Sequence, residues 1–266
     1  MRGALGPLVL RPERTAVLTD FDGTLSPIVA RPELARPLHG TGRVLARLAR
    51  RYAVVAVVSG RPVSFLMEHL AVPGPAGTPA STGLPRFVGL YGLEWADGDG
   101  DITVEPSALA WRPVLAEVLV RLDRAAPSGV LVEPKGLAVT VHWRTAPAFE
   151  PWAVAAVAEE AARAGLESHP GRRSVELRPP LAIDKGSVTR LLVDGCAGAL
   201  YLGDDLGDLP AFAALDAAAE ETGLAAVKLA VADKESAPEV LAAADLVLDG
   251  PESVLDVLEW LAEPRT

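Results

Sequence analysis

The run Ala53-Val54-Val55-Ala56-Val57-Val58 limits the fold of this chain more than any other stretch. It is unbroken, rich in β-branched residues and stopped by Ser59-Gly60. A strand with one wet face alternates apolar and polar residues, so an uninterrupted apolar strand must be covered on both faces. That is the situation inside a parallel sheet flanked by helices. Val17-Leu18, Phe87 to Tyr91, Ala199 to Leu202, Ala225 to Val231 and Leu246-Val247-Leu248 read as further strands. Helical segments fall between them. Val44, Leu45 and Leu48 recur at helical spacing, Pro62 suits a first helical turn, and helices are expected after Lys185, after Leu209 and over Ser253 to Leu261.

This βα rhythm is interrupted between about Pro106 and Pro180. Trp111, Leu115, Val118, Leu119 and Leu122 form a helical stripe, followed by strand-like Val130 to Val132 and Leu137 to Trp143. A second helix is expected from Pro151 to Ala164, before a strand-like run from Ser174 to Leu177. The αββαββ order predicts a small sheet with helices on one face, distinct from the parallel core. A chain of 266 residues accommodates this division. The expected organisation is a core over 1–105, an inserted α/β domain over 106–180, and the rest of the core over 181–266. Pro73 to Pro85 reads as a loop and Asp97-Gly98-Asp99-Gly100 as a hairpin turn. Hydrophobic residues make up 50% of the chain but aromatics only 5%, so Ala, Val and Leu must fill the core.

A formal net charge of −10 argues against a nucleic-acid or anionic-membrane binder, which would need clustered Lys and Arg. It does not exclude a small phosphorylated ligand, because a bound cation and a few local bases can override the global sign. The lone cysteine, Cys196, rules out an internal disulfide and any multi-cysteine metal site, and its apolar neighbours suggest a buried bystander. No apolar run approaches the ~18 residues that span a bilayer, and the N-terminus lacks a leader pattern. A cytoplasmic monomer is the expectation.

Asp20 and Asp22 follow a strand directly, where α/β sheets bind ligands. One carboxylate could attack phosphorus. The other could protonate a leaving alkoxide and then deprotonate water. Gly23 would let backbone amides approach phosphate oxygens. On its own, Asp-x-Asp reads first as a polar turn. Ser59-Gly60-Arg61 ends the next strand with a hydroxyl and amides suited to a phosphate oxygen, although Ser also caps helices. Lys185 opens a helix, where the dipole opposes a cation unless an anion is present; alone it would pass for a surface lysine. Asp204, Asp205 and Asp208 end another apolar strand and would repel one another without a hard cation such as Mg²⁺.

The segments Asp20-Phe21-Asp22-Gly23-Thr24, Ser59-Gly60-Arg61, Asp184-Lys185-Gly186 and Gly203-Asp204-Asp205, in this order at strand ends, resemble the haloacid dehalogenase superfamily of phosphatases. Within it the chain looks most like the trehalose-6-phosphate phosphatase family. Asp20 to Val29, Gly89 to Glu94, Glu133-Pro134-Lys135-Gly136, Val141 to Arg144 and Glu176 to Pro179 each resemble one of that family's segments. The resemblance implies a Rossmann-like parallel core with an α/β cap, a Mg²⁺ cofactor and a small sugar phosphate as substrate. It implies Asp20 as nucleophile and metal ligand, and Asp22 as general acid/base that also offers a backbone carbonyl to the metal. Ser59 and Lys185 would hold the phosphoryl group, with Gly60, Arg61 and Glu94 assisting in binding. Asp204 would be a metal ligand with Asp205 and Asp208 beside it. Glu133, Lys135, Arg144 and Glu176 would grip sugar hydroxyls through charged hydrogen bonds.

Two departures stand out. Tyr91 occupies a position where the family usually has His. The segment Gly203 to Phe212 keeps its three aspartates but has Gly207, Leu209 and Pro210 where the family prefers Thr, Glu and Asp. Both bear on the substrate more than on the reaction class. A phosphatase for sucrose 6-phosphate or a mannosyl-type phosphate, and a non-catalytic sugar-phosphate sensor, therefore stand as alternatives.

Overall fold

The computed structural model describes residues 2–72, 83–97 and 100–264. Most of the loop expected over 73–85, and the centre of the turn expected over 97–100, lie outside these residues. In chain order the elements are α1 (Arg2–Leu10), β1 (Thr15–Thr19), α2 (Thr41–Ala49), β2 (Val54–Val58), α3 (Val63–Leu70), β3 (Arg86–Gly89), β4 (Glu94–Ala96) and β5 (Thr103–Val104). They continue with α4 (Pro106–Leu109), α5 (Arg112–Ala125), β6 (Leu131–Pro134), β7 (Val139–His142), α6 (Glu150–Ala164), β8 (Glu167–Gly171) and β9 (Ser174–Arg178). The chain closes with α7 (Lys185–Leu192), β10 (Gly198–Gly203), α8 (Leu209–Thr222), β11 (Ala225–Ala232), α9 (Pro238–Ala243), β12 (Leu246–Asp249) and α10 (Gly250–Ala262). Two compact units result, one from residues 1–103 and 183–266, the other from 104–182.

The larger unit is built on an eight-stranded sheet in the order β12-β11-β10-β1-β2-β3-β4-β5. Its strands from β12 to β3 are parallel, and β4 joins β3 antiparallel. Alternate residues of the apolar strands pack on opposite faces, as the unbroken runs require. Val17, Val55, Val57, Leu200 and Leu202 meet α1, α2, α3 and α10 through Leu5, Leu45, Leu66 and Leu258. On the other face Ala16, Leu18, Ala56, Val58 and Tyr201 meet α7, α8 and α9 through Val188, Phe212 and Val240. Both β1 and β10 are buried along their whole length. Helix α1 carries Pro7 inside it and has no strong periodicity, yet its Leu5 and Leu8 are fully buried. None of the helices among the described residues is long and apolar enough to cross a membrane.

The smaller unit holds an antiparallel sheet in the order β6-β7-β9-β8. Val132, Val139, Val141, Val175 and Leu177 face one way, against Leu115, Val118 and Leu122 of α5 and Ala153 and Val157 of α6. The alternate residues Glu133, Thr140 and Glu176 are therefore in cross-strand register on the opposite, polar face. The αββαββ order leaves a place for strand β8 after the second helix, although no segment there reads as a strand. It is the polar edge strand Glu-Ser-His-Pro-Gly, whose Pro170 only an edge tolerates, and it registers with the alternating strand β9 across a turn containing Arg173 at φ 54°.

Candidate active site

Parallel register brings the polar strand ends together. Thr19 of β1 lies level with Leu202 of β10 and Val57 of β2. The residues just beyond are Asp20, Asp204 and Ser59, and Asp20 N–H extends the β1–β10 ladder by donating to the Leu202 carbonyl at 2.8 Å. Asp20, Ser59 and Asp204 are all buried. One oxygen each from Asp20, Asp204, Asp205 and Asp208 lies within 4.8 Å of the others. Gly23, at φ 76°, makes this approach possible, since a Cβ there would lie 1.9 Å from Asp204 Oδ2.

Lys185 enters the cluster from the first turn of α7, whose capping box is formed by Asp184 and Ser187. Its Nζ lies 3.1 Å from Asp20 Oδ2 and 2.6 Å from Asp208 Oδ1, and the side chain is buried. Burial would strip its proton, but the Asp20 and Asp208 carboxylates outweigh that and hold its pKa well above the ordinary lysine value. Asp208 is fully enclosed and saturated. Its Oδ1 accepts from Lys185 and from the Tyr201 hydroxyl at 2.9 Å, and its Oδ2 accepts from the amides of Asp204 at 2.9 Å and Asp205 at 3.2 Å. The carboxylate thus orients both the lysine and the Asp204-Asp205 turn. Tyr201 was missed in the sequence reading, although a tyrosine inside a buried apolar strand must find a partner for its hydroxyl.

Asp22 is engaged differently. The Arg61 guanidinium grips it through both oxygens, Nε to Oδ2 at 2.7 Å and Nη2 to Oδ1 at 2.8 Å. Arg61 is in turn stacked 4.5 Å from the Phe65 ring centroid. Ser59 Oγ accepts from the Arg61 amide at 3.2 Å, so Ser59, Gly60 and Arg61 form one compact turn beside Asp22. Glu94 also lies in this unit, where its Oε2 accepts from Val63 N–H at 2.9 Å and caps α3 from outside. That is a structural contact on a residue expected to bind substrate.

In the smaller unit, three of the four expected sugar-binding residues form one network. Lys135 Nζ donates to Glu176 Oε2 at 2.7 Å and lies 4.0 Å from Glu133 Oε2, which His142 Nε2 meets at 2.8 Å. Thr140 donates to Glu176 Oε2 at 2.7 Å and Arg178 to its Oε1 at 2.5 Å. Burial alone would raise the Glu176 pKa, but Lys135 and Arg178 hold it down at about 2. The fourth residue, Arg144, donates to the Arg172 carbonyl at 3.2 Å on the β8–β9 turn. Thr140, His142 and Arg178 could have been found from strand alternation, which puts them on the polar face with Glu133 and Glu176.

A parallel sheet whose central strand ends in Asp-x-Asp, with Ser- and Asp-ended strands on either side and an α/β insertion, defines a haloacid dehalogenase-type fold. The family model for trehalose-phosphatase matches residues 18–243, and the chain belongs to that family. It is 36% identical over 210 residues to the trehalose-phosphate phosphatase of Mycobacterium avium strain 104, a match covering 75% of this chain and 51% of the relative. It is 33% identical over 267 residues to the Mycobacterium leprae protein of the same name, covering 95% of this chain and 58% of the relative. The chain thus spans between half and three-fifths of the length of these relatives. In fold it resembles the C-terminal domain of the Candida albicans trehalose-6-phosphate phosphatase, with a TM-score of 0.76, 22% identity, and coverage of 98% of this chain and 96% of that one.

The family implies a divalent metal, and the residues fit one. Buried Asp20 Oδ1 has no hydrogen-bond partner among the described residues. Burial drives the Asp20 carboxyl up to about 8, with Lys185 opposing and Asp208 and Asp205 adding to the rise. Such a cluster takes up either a proton or a hard cation.

Proposed function

We propose that the chain is a Mg²⁺-dependent phosphatase that hydrolyses trehalose 6-phosphate to trehalose and phosphate through an aspartyl-phosphate on Asp20. The placement of Lys185 Nζ, 3.1 Å from Asp20 Oδ2 within the acidic cluster, carries this reading. A buried ammonium beside an attacking carboxylate is what a phosphate dianion requires, and the saturated Asp208 keeps it there. Asp20, the Asp22 carbonyl and Asp204 would hold Mg²⁺, with Asp205 alongside. Mg²⁺ supplies charge cancellation between carboxylate and phosphate.

In the first displacement an Asp20 oxygen bonds to phosphorus as the bond from phosphorus to the sugar oxygen breaks, and Asp22 gives that oxygen a proton. In the second, Asp22 takes a proton from water, the water oxygen bonds to phosphorus, and the Asp20–phosphorus bond breaks. Arg61 takes one lone pair on each Asp22 oxygen, which orients the carboxylate and leaves a second lone pair on each oxygen for the proton transfers. Ser59 and the Gly60 amide hold the transferring group together with Lys185.

We assign sugar binding to the polar face of the smaller unit. There Glu133, Lys135 and Arg144 would meet hydroxyls, while Glu176, already accepting from Lys135, Thr140 and Arg178, tethers the lysine. The names of the mycobacterial relatives support trehalose 6-phosphate as the substrate. The test is initial-rate hydrolysis of trehalose 6-phosphate, sucrose 6-phosphate, glucose 6-phosphate and an aryl phosphate, with and without Mg²⁺. Trehalose 6-phosphate is expected to lead in kcat/KM by about a hundredfold or more. Lys135→Ala should remove most of that lead while leaving aryl phosphate turnover intact. Equal rates across the sugars would refute the substrate, and binding without release in Mg²⁺ would favour a sensor.

A further inference from the structure

Leu90 and Tyr91 have consecutive left-handed backbones, with φ of 48° and 61°. Non-glycine residues rarely adopt this region, and strain of this kind persists only where the surroundings impose it. Here the neighbouring turn does so. Leu90 N–H donates to the Arg61 carbonyl and Tyr91 N–H to the Ser59 carbonyl, both at 3.0 Å. The strained turn is thereby fastened to Ser59-Gly60-Arg61, and it lays the Tyr91 ring on Gly60. A Cβ at Gly60 would lie 2.5 Å from the Tyr91 hydroxyl oxygen, 2.6 Å from Cζ and 2.9 Å from Cε2, so only glycine fits under the ring. The same ring has its Cε1 3.9 Å from where a Cβ on Gly207 would stand, and its centroid 5.9 Å from Lys185 Nζ. That last distance is within cation–π reach.

One half-buried side chain thus bears on the turn after β2, the turn after β10 and the lysine that opens α7. We infer that Tyr91 is a positioning residue, whose ring sets the Ser59-Gly60 turn against Lys185 so that both converge on one phosphoryl group. The inference rests on the phosphatase reading above. Phenylalanine keeps the ring that covers Gly60 and faces Lys185, so it is the conservative replacement.

The test compares the wild type with Tyr91→Phe and Tyr91→Gly in Mg²⁺. The glycine variant relieves the left-handed strain, so it separates loss of the ring from loss of the fold. Measured quantities are the Kd of inorganic phosphate and KM and kcat for trehalose 6-phosphate and an aryl phosphate. Tyr91→Phe is expected to bind phosphate several-fold more tightly than Tyr91→Gly, because it keeps the ring. Tyr91→Gly, still unfolding cooperatively, is expected to weaken phosphate about tenfold and raise KM for both substrates by a similar factor. Unchanged phosphate affinity in Tyr91→Gly would overturn the inference, as would a KM rise confined to the sugar phosphate, which would make Tyr91 a contact for the leaving group. A wild type that neither binds phosphate nor releases it from either substrate would remove the phosphatase reading and this inference with it, a result distinct from the first two.

Discussion

Asp20→Asn is expected to abolish Mg²⁺-dependent phosphate release, lowering kcat by at least about 10⁴-fold, the scale on which loss of a covalent nucleophile is felt. The amide keeps the shape of the carboxylate but cannot attack phosphorus. It also removes a buried carboxyl whose pKa is driven up to about 8, chiefly by burial. A group raised in this way weakens the folded state as pH rises from its ordinary value near 4 towards 8, because only the unfolded chain has given up its proton. Without metal, Asp20→Asn should therefore be at least as resistant to heat as wild type at pH 7. Loss of turnover together with loss of fold would count against the assignment.

Lys185→Met should be the most damaging substitution to stability in the site. It removes the cation shared by Asp20 and Asp208 and leaves the fully buried Asp208 carboxylate without it. Breaking a buried ion pair from one side costs about 3–5 kcal/mol. Turnover should fall at least about a thousandfold, since the phosphoryl group loses its ammonium partner. Combining it with Asp208→Asn should restore part of the stability, because the stranded charge is gone, but none of the activity. Thermal unfolding and phosphate release measured on the same preparations check both halves. Recovery of turnover in the double variant would show that Lys185 is only structural.

The strands that position the site are legible because each is an apolar run stopped by polar residues. Parallel register then forces Asp20, Ser59 and Asp204 to one edge without further information. Lys185 was legible because a cation at a helix start is out of place unless something pays for it. What could not be read were pairings between distant segments. Arg61 clasps Asp22, and Glu94 caps α3, through contacts that no local pattern encodes. Asp208 looks like one more acidic residue in a cluster until its four donors are seen. The residues of strand β8 could not be picked out because an edge strand needs no apolar alternation, nor could α1, because Pro7 breaks the helical signal while Leu5 and Leu8 anchor it. Tyr91 stood out only as an odd residue in a segment read as a strand. Its left-handed backbone is imposed by the Ser59 and Arg61 carbonyls, which lie elsewhere in the chain.

In this mechanism the phosphoryl group passes through Asp20. The measurement is rapid acid quenching of the enzyme turning over radiolabelled trehalose 6-phosphate in Mg²⁺, followed by peptide mapping. Acid-stable label is expected on the peptide containing Asp20, lost on mild alkali as an acyl phosphate should be and absent from Asp20→Asn. Label on any other residue, or full turnover by Asp20→Asn, would contradict it.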